Sequence, residues 1–375
     1  MKELRSLAEV EETLRAEGFF DGGGEGLVAD VYLGYGLSSA IRRDRTPSPP
    51  EPCPLPAAAV RVRPADEPCP SLHHGVVMSV GPWERSWSDS EYAAAVEAVR
   101  DAIAAGDVYQ VNLVQHLSAP FRGDPAALAG ALAPLRPLAP RPLVGDGWAI
   151  VSASPELMLR RRGRRVWTSP IKGTRPRGVP GLGESGKDAA EHVMIVDLER
   201  NDLARVCEPG SVRWPELMAP RALAGVEHLV SRVEGVLRDG VSLTELLQAT
   251  FPGGSITGAP KIAAVDLIAA LEPVGRGASM GAYGTIWPNG DLELALTIRT
   301  FALAEGRIHL WVGGGIVWDS DAAAEIEESW TKAAPLLSAI ATWSQRHSQS
   351  KSQRRARAVS ETVSDQVSET AGAMP

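Results

Sequence analysis

The chain has no surplus of positive charge. Its 38 Lys and Arg face 46 Asp and Glu, a net charge of −8. Binding a phosphate backbone needs clustered cations, so nucleic acid is excluded as the main partner. Cysteine is scarce: Cys53, Cys69 and Cys207 are the whole complement, with no CxxC pair. That excludes a dense disulfide framework and a paired-cysteine zinc site. A Cys53–Cys69 bridge stays open at this point, while the odd count and the chain's size favour a reducing setting. No apolar run reaches the roughly 20 residues of a membrane span. The N-terminal stretch MKELRSLAEVEETLRAEG is charged and amphipathic and lacks the apolar core of a secretion signal. The expected location is the cytoplasm.

What is present is a globular composition, 44% hydrophobic and 22% charged over 375 residues, ample for a substantial core. Residues 1–85 read as a short N-terminal section. It contains the turn-rich GFFDGGGEG and the connector RTPSPPEPCPLPAAAVRVRPADEPCP, whose prolines argue against a helix or a central strand. Residues 343–375 lack any apolar period and read as a disordered tail. Between them, residues 86–342 carry the folding signals. Ser88 and Glu91 make a capping box, Tyr92, Val96, Val99 and Ile103 follow at helical spacing, and Gly106 ends the helix. In the next strand, VYQVNLVQHL, Tyr109, Val111 and Leu113 share one face, Gln110 and Asn112 the other. Asn289-Gly290 and Glu305-Gly306 mark hairpin turns, and Leu292, Leu294, Leu296 and Ile298 alternate with polar or small residues. Antiparallel strands interleaved with long helices, without βαβ regularity, indicate an α+β fold.

Several groups of residues can carry chemistry. Asp188 and Glu191 lie in GKDAAEHVMIVDLERNDLARV, and Glu325 and Glu328 lie in SDAAAEIEESWTKAAPLL. Spacing of three on a helix puts each pair on one face. Either pair alone is an ordinary solvated face; brought together, the four carboxylates would hold a hard cation such as Mg²⁺. The segment TFPGGSITGAPK, which includes Thr257, is no phosphate loop, because Ala-Pro-Lys follows Gly258 where Lys-Ser/Thr is required. Its backbone amides still suit an anion such as a carboxylate. WVGGGIV, with Gly313 and Gly315, offers bare backbone at a strand end. In SPIKGTRPRG, Lys172 is fixed between Pro170 and Gly173 with Arg175 and Arg177 behind it. A basic surface loop is the bland reading of that stretch; Glu156 as an edge charge and His228 as a structural histidine are the bland readings of those residues.

Seven blocks in register, SPELMLR, PIKGTRPRG, DLERNDLARVCEPGSV, EHLVSRVEG, FPGGSITGAPK, LELALTIRT and GGGIVWDSDAAAEIEESWTKA, resemble the chorismate-utilising enzyme family. The resemblance runs from about Ser86 to Leu337. It implies a central pair of packed antiparallel β-sheets flanked by helices. It also implies Mg²⁺ held chiefly by Glu191 and Glu328 beside Asp188 and Glu325, and Glu156 as the general acid for the departing 4-hydroxyl of chorismate. Arg299, with the backbone near Gly313 and Gly315, would grip the enolpyruvyl carboxylate, with His228 lining the site.

Two positions separate members of that family. Where water-adding members have a lysine base this sequence has Gln110, which disfavours isochorismate and salicylate formation. Where anthranilate synthases usually have alanine it has Lys172, which resembles aminodeoxychorismate synthase component I. There the amine attacks C2 as the hydroxyl leaves, and ammonia enters at C4 and expels the lysine. An ammonium ion has no lone pair, so this role needs an uncharged amine on a rigid mount. The offset from Glu156 to Lys172 suggests adjacent strands. The implied partner is a glutamine amidotransferase subunit supplying ammonia. Alternatives are an anthranilate synthase component I and a non-catalytic chorismate-binding paralogue, the latter motivated by Ser279 and Thr285 at positions where the family commonly has tyrosine. The usual tryptophan-binding section is not recognisable, so no tryptophan regulation is expected.

Overall fold

The computed structural model describes residues 1–70, 78–176, 186–223 and 226–344. Seven helices can be named in chain order: α1 (Leu7–Ala16), α2 (Asp89–Ala105), α3 (Pro125–Leu132), α4 (Gly186–Ala204), α5 (Leu243–Thr250), α6 (Lys261–Leu271) and α7 (residues 322–344). The local signals behave as expected. Ser88 and Glu91 close a reciprocal cap on α2, and Gly106 ends it with φ 84°. A second capping box, Ser242 with Glu245, starts α5. None of the described helices is long and apolar enough to cross a membrane.

Two antiparallel sheets organise these helices. The first runs in the order Lys2–Leu4, Ala58–Pro64, Leu27–Leu33, Ala282–Ile286, Leu292–Leu296, Leu157–Arg162, Arg165–Ser169, Val226–Val236 and Ile171–Pro176, with Arg213–Leu223 also paired to Val226–Val236. The second runs Gly258–Ala259, Gln110–Arg122, Arg307–Ile316, Thr300–Ala304, Trp148–Ser152 and Leu143–Val144. Residues of both sheets meet in one core that includes Val31, Leu159, Leu294, Leu113 and Ile150. The second sheet is buried on its other face too. Ile150 and Ala302 join the inter-sheet core, whereas Val151, Phe301 and Leu303 pack in a second cluster with Leu128 of α3 and Leu336 of α7. Side chains that alternate between faces at period two explain that division.

The N-terminal section is less irregular than its composition suggests. Ala58–Pro64 is an internal strand between Lys2–Leu4 and Leu27–Leu33. The connector's prolines flank this stretch, and Pro64 sits at its last position, so AAAVRV keeps every N–H needed for the ladder. All three cysteines are free thiols, Cys53 and Cys207 buried and Cys69 exposed. Tyr109 falls outside the Gln110–Arg122 strand and is exposed, so the strand's apolar face starts at Val111, while Gln110 and Asn112 on the other face are buried too. α7 continues to residue 344; the expected disordered tail beyond it lies outside the described residues, as does Arg177.

The chain crosses from one sheet to the other at two neighbouring points. Trp148–Ser152 belongs to the second sheet and Leu157–Arg162 to the first, so residues 153–156 make one crossing. Leu292–Leu296 belongs to the first sheet and Thr300–Ala304 to the second, so residues 297–299 make the other. The strand expected to continue through Ile298 therefore stops at Leu296. The crossings are tied together: Ala153 N–H donates to Arg299 O at 3.0 Å, and Leu296 N–H to Glu156 O at 3.0 Å. Glu156 and Arg299 thus leave the chain side by side.

Candidate active site

Glu156 is the centre of the first cluster. Its crossing is shaped by serine turns: Ser154 N–H donates to Ser152 Oγ (3.2 Å) and Glu156 N–H to Ser154 Oγ (3.3 Å). Glu156 as a whole is 4% exposed. Ile171 N–H reaches its Oε1 at 3.4 Å, and the Ser255 hydroxyl, Lys172 and Arg299 also stabilise its charge. Burial outweighs these partners and raises its pKa above the usual carboxylate value. A carboxyl that burial makes hold its proton more tightly, set beside Lys172 and Arg299, is suited to donating that proton.

Arg299 occupies the second crossing with φ 50°, in the left-handed region where a non-glycine residue is strained. Burial lowers its pKa and the neighbouring Glu156 opposes that shift. Lys172 enters from Ile171–Pro176. That strand pairs with Val226–Val236, Lys172 opposite Leu229, and not with Leu157–Arg162. Arg165–Ser169, the run that leads into it, does pair with Leu157–Arg162, Ser169 opposite Leu157, so Glu156 and Lys172 stand on neighbouring strand runs as expected. The ladder runs through Pro170, whose carbonyl accepts from Ser231 N–H at 3.1 Å, so Ile171–Pro176 continues the Arg165–Ser169 strand in the same register along Val226–Val236, and Ile171 N–H reaches Glu156. A register shift follows between Lys172 and Thr174, with Gly173 at φ 64°. Such a bulge re-aims the side chain next to it. His228, buried, lies opposite Thr174, is hydrogen-bonded to the Gly173 backbone and faces Arg299; burial lowers its pKa.

A second cluster forms around the glycine triplet. A Cβ built on Gly314 would stand 3.2 Å from Glu325 Oε2, 3.4 Å from Lys332 Nζ and 3.6 Å from Glu328 Oε1. These side chains from α7 converge over bare backbone. Lys332 donates to Gly313 O (2.9 Å) and pairs with Glu328 (2.6 Å), and Ser320 Oγ donates to Glu325 Oε1 (2.6 Å). Gly315 makes room for a different group, since its Cβ would fall 2.0 Å from Gln110 Nε2. Gly313 is demanded by the sheet itself: its Cβ would fall 1.9 Å from Leu113 O. Gln110 Oε1 and Asn112 Oδ1 are buried and have no hydrogen-bond partner among the described residues. Buried amide oxygens of that kind point to a ligand that donates to them.

The stretch from Ser255 to Ala259 joins the two clusters. Ser255 is at Glu156, Thr257 O accepts from Asn112 N–H at 2.7 Å, and Ala259 pairs with Gln110. Thr257 is fully buried, and its hydroxyl donates to Gly253 O at 2.9 Å, so the side chain shapes the turn. Glu191 is half-buried on α4; Asp188 lies in the same helix, and its side chain is outside the described residues. Among the described residues no three acidic, His or Cys side chains stand together at metal-holding distance. The carboxylate oxygens over Gly314, already drawing one cationic group, are nevertheless the donor chemistry a hard divalent cation takes.

Three side chains at the site were not singled out in the sequence. His192, fully buried on α4, has both ring nitrogens unpartnered among the described residues; burial, and then the Lys172 charge, push it down to about 4. Ser255 supports Glu156 directly, and Glu199 is buried beside it. One signal was available: His192, Ile195, Val196, Glu199, Asp202 and Leu203 form the buried stripe of α4, and three of its members are polar.

The family model of the chorismate binding enzymes matches residues 48–338. The chain belongs to the chorismate-binding enzyme family. Among relatives of this chorismate-binding enzyme, aminodeoxychorismate synthase component 1 of Klebsiella aerogenes is 41% identical over 266 residues, covering 68% of this chain and 59% of that protein. Anthranilate synthase component 1 of Streptomyces coelicolor is 39% identical over 318 residues, covering 81% of this chain and 59% of that protein. The chain thus spans about three fifths of the length of these curated relatives. The crystal structure of anthranilate synthase component I from Streptococcus pneumoniae TIGR4 has a TM-score of 0.75 at 26% identity, covering 86% of this chain and 84% of that one. The expected fold, two packed antiparallel sheets flanked by helices, is the fold observed.

Proposed function

We propose that this chorismate-binding enzyme is an aminodeoxychorismate synthase component I, aminating chorismate with ammonia supplied by a glutamine amidotransferase partner. The observation that carries the reading is Lys172, set at the Gly173 bulge beside the buried acid Glu156. Glu156 holds a proton for the departing 4-hydroxyl. Lys172 attacks C2 as its uncharged amine, and ammonia then bonds at C4 and releases it. Arg299 and the Gly313–Gly315 backbone take the enolpyruvyl carboxylate, and His228 orients the bulge through Gly173. Gln110 carries no base, which disfavours addition of water. Mg²⁺ is assigned to Glu191 and Glu328, with Asp188 and Glu325 beside them. When bound, it supplies a counter-charge for the ring carboxylate.

The second reading, anthranilate synthase component I, is favoured by relatives such as that of Streptomyces coelicolor. Incubating the purified chain with chorismate, Mg²⁺ and ammonium and identifying the product by mass separates the two. 4-Amino-4-deoxychorismate is the expected product, and anthranilate alone would overturn the choice. Lys172→Ala is expected to abolish or reroute the amination at C4; an undiminished rate would remove the covalent role.

A further inference from the structure

Glu199 lies behind Glu156, on the buried stripe of α4, and is 7% exposed. Two separate parts of the chain hold the carboxyls of these two residues as neighbours. In the first, the Thr168 hydroxyl bonds Glu199, while Ile171 N–H, three residues further along the same run, bonds Glu156. In the second, Glu199 Cγ is 3.4 Å from a Cβ built on Gly254, and the next residue, Ser255, bonds Glu156. Glu199 Oε2 has no hydrogen-bond partner among the described residues. Glu199 lines a cavity with Met158, Thr168, Asp202 and Thr250, of about 10 Å³, room for about one water.

The charged groups around the two carboxyls differ. Glu156 faces Lys172 and Arg299, whereas Glu199 faces Glu156, Asp202 and Lys261, and Lys261 is already bound to Asp202. Two buried carboxyls this close do not both ionise near neutrality. We propose that Glu156 and Glu199 form a dyad holding one proton between them, with Glu199 the positioning residue that keeps the proposed general acid supplied. Burial, and then the Glu156 charge, push Glu199 up to about 8, in keeping with that arrangement. Such a pair titrates as a unit. The Glu156 O–H bond breaks as the proton joins the departing hydroxyl to make water. The incoming ammonia, once bonded to carbon, is an ammonium, and its surplus proton returns to the dyad. This part rests on the amination reading; the titration of the pair does not.

Glu199→Gln and Thr168→Val test it with opposite signs, using kcat for chorismate consumption against pH, whatever the product. Glu199→Gln removes the partner charge, so the alkaline limb is expected to move down by about one pH unit or more, with KM for chorismate within about twofold. Thr168→Val removes support for the Glu199 anion, so the limb is expected to move up. Unmoved limbs in both variants, or a uniform loss of kcat at every pH, would overturn the dyad. Should Glu199→Gln fail to fold, the direction of the Thr168→Val shift decides alone. Infrared spectra of the resting enzyme need no turnover: wild type minus Glu199→Gln at pH 7 should retain a protonated carboxyl band, and its absence would count against the pair.

Discussion

Arg276 is the side chain whose loss the structure prices most clearly. It is 1% exposed and donates to both oxygens of Glu272 (2.8 and 2.7 Å), to Ile256 O (2.9 Å) and to Asn112 O (2.7 Å). Its guanidinium also stacks 4.5 Å from the Tyr35 ring centroid. Glu272, 4% exposed, is otherwise supported by Val114 N–H at 3.0 Å. Arg276→Met leaves this carboxylate without its counter-charge and two carbonyls without a donor. Breaking a buried pair from one side costs about 3–5 kcal/mol. Each stranded carbonyl adds about 1–3 kcal/mol, offset in part because Glu272 takes up a proton. The expected net loss at pH 7 is about 4–6 kcal/mol, and at roughly 1.3 °C per kcal/mol for a chain of this size Tm falls by about 5–8 °C. Burial already raises the Glu272 pKa, so the deficit should shrink in mild acid as the carboxyl is neutralised. Adding Glu272→Leu should recover most of the loss, since a well-packed apolar pair replaces a buried ionic one at little cost. Urea unfolding of the single and double variants at pH 7 and pH 5 measures all of this. A single variant within about 1 kcal/mol of wild type, or no recovery in the double, would refute the reasoning. Because Arg276 ties Asn112 to Ile256, turnover should fall along with stability.

Three further outcomes are expected. Gly314→Ala puts a methyl at 3.2 Å from Glu325 Oε2, so it should raise the Mg²⁺ concentration needed for half-maximal activity while leaving the melting curve nearly intact. Gly313→Ala collides with Leu113 O at 1.9 Å and should yield no folded protein; a normal melting curve there would contradict the strand packing. The buried pair His116 and His309, with Nε2 and Nδ1 3.1 Å apart, is pushed by burial to about 3 and about 4. Both fold as neutral rings, so their contribution is complete above the unfolded pKa of about 6.5 and is lost as pH falls toward 4. Denaturant unfolding should show up to about 4 kcal/mol of this loss between pH 7 and pH 5, and His116→Gln/His309→Gln should flatten that slope.

Much of the local architecture was legible because it is written in short-range terms. Ser88, Glu91 and Gly106 bound α2 as expected, and both hairpin turns fall where Asn289-Gly290 and Glu305-Gly306 put them, Glu305 and Gly306 at φ 51° and 71°. What could not be read was where the chain changes sheet. Ile298 continues the alternation of Leu292 to Leu296, and only contact with residues 153–156 reveals that the strand has ended. The proline count hid the Ala58–Pro64 strand for a related reason: composition averages over a window wider than the element. The strand of Lys172 was legible in the sequence, but the bulge at Gly173 that follows it was not. Gly313, Gly314 and Gly315 look alike in sequence and are needed for three separate reasons: strand packing, room for the carboxylates of α7, and room for Gln110.

The paired crossings at residues 153–156 and 297–299 separate what is fixed in this enzyme from what is replaceable. The acid and the arginine belong to a joint between two sheets, braced by main-chain bonds that no side-chain replacement removes. Lys172 belongs to neither crossing and stands at a bulge of the neighbouring strand run. Replacing Lys172 would therefore leave the backbone that presents Glu156 and Arg299 unaltered.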